Sequence, residues 1–199
     1  MDDLRAQFPV LERIEYLNAG TTGPIARPAY DAALESLRRE VEDGRSGKAF
    51  FENAVGRIEL LRERVAALIG ATTAELALTG STTDGVNAVL SALDLGAGDE
   101  VVTSDEEHPG VLAPLAGQRD RRGVEVRVAP FASVAEAVGP QTKLVAVSHV
   151  SWRTGQVVDT AALAGTGVPL LLDGAQGLGA IPLRVTELGC DFYAASGQK

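Results

Sequence analysis

Residues 79–84, Thr79-Gly80-Ser81-Thr82-Thr83-Asp84, put a glycine and a run of hydroxyls directly ahead of a stretch whose apolar residues Val86, Val89, Leu90 and Leu93 recur at helical spacing. The free backbone N–H groups and positive dipole end of such a helix suit a phosphate. The structural alternative is a capping box of Ser81 and Asp84, while the glycine and doubled threonine favour an anion. Asp173 ends the apolar run Pro169-Leu170-Leu171-Leu172 and is followed by Gly174, which lets another group approach closely. A buried acid needs a cationic partner or strong hydrogen bonds, and a protonated ring nitrogen is one such partner. The alternative for Asp173 is a cap for the segment 174–179. Lys199 closes Ser196-Gly197-Gln198-Lys199. A lysine standing alone is a solvated charge, but beside a phosphate site and a buried acid its pKa falls and it can form a Schiff base. His108 precedes Pro109-Gly110 and, taken alone, reads as a surface or structural residue. His149, within Ser148-His149-Val150-Ser151-Trp152, has no recognisable partner and reads as structural.

These residues need elements to position them. Helices are expected from Pro28, with Tyr30, Leu34, Leu37 and Val41 on one face, and over Val55, Ile58, Leu61, Val65 and Leu68, with Gly70 as the stop. Beyond Gly70, short apolar runs alternate with helical stretches, the pattern of strand–helix units in a mainly parallel sheet. Six strands are predicted, near 75–79, 100–104, 124–129, 143–148, 169–172 and 191–195. Helices are predicted near 82–93, 111–122, 133–138 and 160–164. In an open α/β sheet, ligands bind outside the carboxyl ends of the strands. The loops there would hold Ser81, Thr82 and Thr83, then His108, then Ser148 and Ser151, then Asp173 and Gln176, then Ser196 and Lys199. A core would not gather its polar groups at one edge.

The 199 residues carry 27 acidic against 18 basic side chains, a net charge of −9, the wrong sign for neutralising phosphate backbones, so nucleic acid is excluded as a partner. The start, Met1-Asp2-Asp3-Leu4-Arg5, lacks a basic, apolar secretory signal, and no stretch reaches membrane-spanning length. A cytoplasmic protein with no membrane partner is expected. One cysteine, Cys190, permits neither an internal disulfide nor a cysteine metal cluster, and no metal is expected.

The stretch Thr79-Gly80-Ser81-Thr82-Thr83-Asp84-Gly85-Val86-Asn87 resembles the phosphate loop of cysteine desulfurases and their relatives. Asp173-Gly174-Ala175-Gln176 and Ser196-Gly197-Gln198-Lys199 resemble the family's two other cofactor motifs, in the same order. From Tyr16-Leu17-Asn18 to Lys199 the chain is thus similar to the class V aminotransferase family of pyridoxal 5'-phosphate enzymes, which includes cysteine desulfurases, cyst(e)ine carbon–sulfur lyases and isopenicillin N epimerases. The resemblance implies a fold-type-I large domain, α/β with a mainly parallel sheet and helices on both faces, over residues 21–199 after an N-terminal segment 1–20. It implies that Lys199 forms the internal aldimine, Asp173 pairs with the pyridine nitrogen and Gln176 bonds the ring hydroxyl oxygen. Thr83 and Ser196, with the backbone of Thr82 and with Ser81, would hold the phosphate, and His108 would stack on the ring and assist proton transfer. An amino-acid substrate would displace Lys199, which would then shuttle the Cα proton. A homodimer is implied, as is a small C-terminal domain beyond Lys199. So is a strand after the lysine, lying between the sixth strand and the first, without which residues 75–79 have no neighbour.

The chain departs from desulfurases at Ser151-Trp152-Arg153, where they carry Ser-Asn; the tryptophan is closer to the lyase and epimerase branch. Gln198 replaces a common histidine. Cys190 sits where a small buried residue is expected and is no persulfide carrier. The alternatives are a non-catalytic ligand-binding or regulatory domain of the same fold, and a dinucleotide loop at 174–179. The glycine spacing there is wrong for G-x-G-x-x-G.

Overall fold

The computed structural model describes residues 2–199. Two compact units are present: one ends at Val65 and includes Gln198–Lys199, and the other is Ala66–Gly197. The first holds helices α1 (Asp2–Ala6) and α2 (Arg27–Asp43) and most of α3 (Gly47–Ile69). Pro28 stands in the first turn of α2, and α3 stops at Gly70, whose φ of +72° is the left-handed conformation that a terminating glycine adopts without strain. Tyr30, Leu34, Leu37 and Val41 share the predicted face of α2, and all four are exposed.

The second unit is built on one five-stranded sheet: β1 (Glu100–Ser104), β2 (Glu125–Ala129), β3 (Thr142–Ser148), β4 (Leu170–Asp173) and β5 (Phe192–Ala194). Its order is β2-β1-β3-β4-β5, and every pairing is parallel. Helices α4 (Thr82–Ala92) and α5 (Pro109–Arg122) pack on one face through Val86, Leu90, Val111 and Leu115, against Val101, Leu144, Ala146 and Leu171. The other face, Val102, Val145, Val147, Leu170 and Leu172, is covered by the 3-10 segment Phe131–Ala137 and helix α6 (Thr160–Ala164). Alternate strand residues therefore enter opposite cores, which is why these strands read as unbroken apolar runs rather than as alternating patterns. The result is the expected α/β architecture with helical layers on both faces.

The predicted first strand does not form. A 3-10 turn (Thr73–Glu75) leads into extended backbone at Leu76 (φ −109°, ψ 125°), but residues 76–79 pair with no strand among the described residues. A cleft of about 440 Å3 lies between Glu75–Thr79 and the free edge of β5 at Phe192–Ala194. Extended local sequence makes a strand only when a neighbour supplies the ladder. The helix predicted near 133–138 is a kinked 3-10 segment, bent at Ser133 (φ −135°).

Strand order reverses between β1 and β3. The chain leaves β1 toward β2 through α5, on one face, and leaves β3 toward β4 through α6, on the other. The two crossovers diverge there and open a crevice at the carboxyl ends of β1 and β3.

Candidate active site

Three successive acids follow β1, and each fastens a different neighbour. Asp105 Oδ1 accepts from Phe131 N (3.0 Å), tying the loop to the end of β2. Glu106 Oε2 accepts from the hydroxyls of Ser151 and Thr154, the latter at 2.8 Å. Glu107 is 4% exposed and accepts from Ser104 Oγ (2.5 Å), Ser148 N (2.9 Å) and Ser148 Oγ (2.6 Å), clipping β1 to β3 across the crevice. Burial pushes the Glu107 carboxyl up, against the pull of these hydrogen bonds, and the nearby Asp173 charge adds to the rise. Glu106, by contrast, is held below the usual carboxylate range by its bonds from Ser151 and Thr154.

On this base stands His108, which caps α5: its Nδ1 accepts from Gly110 N at 3.0 Å, so a neutral ring carries its proton on Nε2. Trp152 meets the imidazole edge-on, with centroids 5.5 Å apart at 84°. Gly110 also approaches the phosphate-loop candidate. A side chain at Gly110 would stand 2.7 Å from Thr83 Oγ1, so any larger residue there would displace the Thr83 hydroxyl or the start of α5.

Across the same edge, Ser81 caps α4 by accepting from Asp84 N (3.1 Å). This is the Ser81 half of the expected capping box. The Thr82 hydroxyl is buried with no partner, a polar atom lacking the hydrogen bond that its burial calls for. The first-turn N–H groups of α4 have no acceptor within the helix by geometry.

Asp173, 6% exposed, is the last residue of β4 rather than the first of its loop. Its Oδ1 accepts from Ala175 N (2.8 Å), so the cap weighed in the sequence occupies one of its oxygens. Gln176 is half-buried in the turn that follows, where Gly177 N and Leu178 N both donate to Gly174 O. Ser196 follows β5 at this edge, half-buried. Lys199 belongs with Gln198 to the first unit. Gln198 O accepts there from Gly23 N (2.7 Å), and a side chain at Gly23 would stand 3.0 Å from the Lys199 carbonyl carbon.

The aminotransferase class-V family profile matches residues 15–199. The chain belongs to the class V aminotransferase family. It is 31% identical over its whole length to a probable cysteine desulfurase of Methanothermobacter thermautotrophicus, covering 52% of that protein. It is 32% identical to the isopenicillin N epimerase of Amycolatopsis lactamdurans over 98% of this chain and 53% of that one. Among solved structures it is similar to the cystine C-S lyase C-DES. A C-DES mutant with glycine covalently linked to its PLP cofactor gives TM-score 0.92 at 32% identity, over 98% of this chain and 55% of that one. C-DES in complex with its reaction product, cysteine persulfide, also gives TM-score 0.92. The chain spans about half the length of the relatives it matches.

Within this class V chain, the acids Asp105, Glu106 and Glu107 were missed by sequence reasoning. Their signal was a run of three carboxylates directly after a strand whose last four residues are buried, where a merely solvated charge run is out of place. His149, read as structural, is 2% exposed, and its Nδ1 lies 3.1 Å from Tyr193 Oη; burial pushes its pKa down. Cys190 is half-buried and its thiol is pushed up by burial, the opposite of a reactive cysteine. Among the described residues, no helix is long and apolar enough to cross a membrane.

Proposed function

We propose that this chain is the cofactor-binding part of a pyridoxal 5'-phosphate enzyme acting at Cα and Cβ of an amino acid. The observation that carries the reading is the unpartnered, buried Thr82 hydroxyl at the first turn of α4, on the same sheet edge as the buried Asp173 carboxyl and His108. A phosphate satisfies the hydroxyl together with the N–H groups of Thr82 and Thr83, Asp84 N being already capped by Ser81. When bound, the cofactor supplies an electron sink for the bond broken at Cα. The residues of the chain do the rest. Ser81, Thr82, Thr83 and Ser196 hold the phosphate, Asp173 keeps a proton on the ring nitrogen, and Gln176 bonds the ring hydroxyl. His108 covers the ring face, and Lys199 carries the cofactor covalently and moves the Cα proton.

Carbon–sulfur lysis is the reaction favoured, because Trp152 stands where desulfurases have asparagine and because the backbone superposes on a cystine lyase with TM-score 0.92. The full protein is read as a homodimer on the family's pattern, and as cytoplasmic from the signal-free N-terminal sequence. Borohydride reduction of the full-length holoenzyme, followed by peptide mapping, should label Lys199. A label on another lysine, or no visible absorption from the purified protein, would sink the reading. Cystine or cysteine should release sulfur species and pyruvate, whereas loss of chirality alone would point to the epimerase branch.

A further inference from the structure

The loop that presents Trp152 is closed on itself. Val150 bridges Val157 in antiparallel fashion, Ser151 N donates to Gln156 O (2.9 Å), and Gly155 N donates to Ser151 O (2.9 Å) at a φ of +75°. These bonds fix the shape of the loop but not its lean toward β1. Burial holds the base of the loop, where Ser151 is 2% exposed, but not its tip, where Trp152 is 49% exposed. What joins the loop sideways to the segment after β1 is polar. The hydroxyls of Ser151 and Thr154 both donate to Glu106 Oε2, and Arg153 Nη1 donates to Asp105 O at 3.3 Å. The other end of this link is rigid: Glu106 N donates to Ser104 Oγ (3.2 Å), Asp105 N to Ala129 O (2.9 Å), and the neighbouring Glu107 is clipped to β3. One residue beyond Glu107 stands His108, whose imidazole the indole meets.

We propose that Glu106 is a positioning residue whose carboxylate holds the 151–154 loop so that Trp152 stays edge-on to the His108 ring. Two hydroxyls donating to one ionised oxygen form a charge-assisted pair of bonds, stronger than neutral ones. The loop therefore has a preferred lean despite its exposure. The consequence for activity rests on the function proposed above: with His108 over the cofactor, Trp152 flanks the approach of the amino acid, and loss of the link loosens substrate binding more than it slows chemistry.

The test labels the full-length holoenzyme with 5-fluorotryptophan and assigns the Trp152 resonance by its loss in W152F. In the wild type, H108N should move that resonance. In E106A the resonance should shift and broaden, and H108N should no longer move it, while E106Q, which keeps a carbonyl acceptor, should restore most of the wild-type position. KM for the amino acid should rise about tenfold in E106A, with kcat changed by less than about threefold, the pattern of lost uniform binding. T154V removes one donor at an exposed position and should shift the resonance in the same direction by less, which keeps the test available if E106A does not fold. An unmoved Trp152 resonance, or an unaltered KM in an active variant, overturns the proposal. A displaced resonance in a protein that takes up no pyridoxal phosphate would instead overturn the function and leave the positioning role standing.

Discussion

A Cβ placed on Gly174 would stand 2.1 Å from Cε1 and Cζ of Tyr193, so the turn after β4 exists in this form only because residue 174 has no side chain. Tyr193 itself comes from β5, pairs with Leu172, and lies under the turn with its hydroxyl against His149. The close approach expected of Gly174 is thus made by a tyrosine of the protein. G174A should cost about 3 kcal/mol by overpacking, read as a fall in the denaturation midpoint. Adding Y193A should recover part of that loss, and a double variant no better than the sum of its parts would show that the strain lies elsewhere.

Glu107 holds three donors, so E107A should destabilise the protein by about 3 kcal/mol, leaving buried hydroxyl and N–H groups unpaired. E107Q keeps the carbonyl acceptor and offers an N–H to Ser148 Oγ, and should stay within about 1 kcal/mol of wild type.

The same residue sets a pH dependence. Burial raises its folded pKa above the unfolded value, so over the window between the two the folded state binds a proton that the unfolded chain does not. Glu107 therefore penalises the fold at neutral pH, and the penalty lifts as pH falls through the folded value toward the ordinary carboxyl range. Denaturant titrations across the acid range should show wild type gaining stability relative to E107Q as pH falls. Wild type losing ground to E107Q on acidification would contradict the assignment.

Because the Thr82 hydroxyl has no partner in the protein, T82V should leave the stability of the cofactor-free protein unchanged or slightly raised. Affinity for pyridoxal phosphate should fall about tenfold, followed by its absorption on titration. S81A, which removes a cap as well as a phosphate contact, should cost about 1 kcal/mol in the cofactor-free protein and more in the holoenzyme.

D173A should retain some cofactor through the phosphate contacts and lose nearly all turnover, measured as product release by the full-length enzyme. It also removes the bond to Ala175 N, so a modest drop in melting temperature is expected alongside. Unchanged turnover would reduce Asp173 to a structural acid.

The sequence alone determined the strand–helix alternation, the single edge at which Ser81, His108, Asp173 and Ser196 emerge, and the family. Those features are written locally: a strand buried on both faces needs a continuous apolar run, and a helix start needs its cap. Tertiary structure decided what depends on partners far away in the chain. Residues 75–79 have strand composition but no ladder, since backbone pairing is a property of two segments. Gly174 needed Tyr193, 19 positions on, before its small size had a reason. The run of acids at 105–107 marked the strand end but not the partners of Glu106 and Glu107, because Ser151 and Ser148 lie 45 and 41 residues away. A carboxylate's partner is set by which strand ends the sheet order brings together, and that order, with β1 beside β3 rather than last in line, is fixed by the packing of two cores on opposite faces.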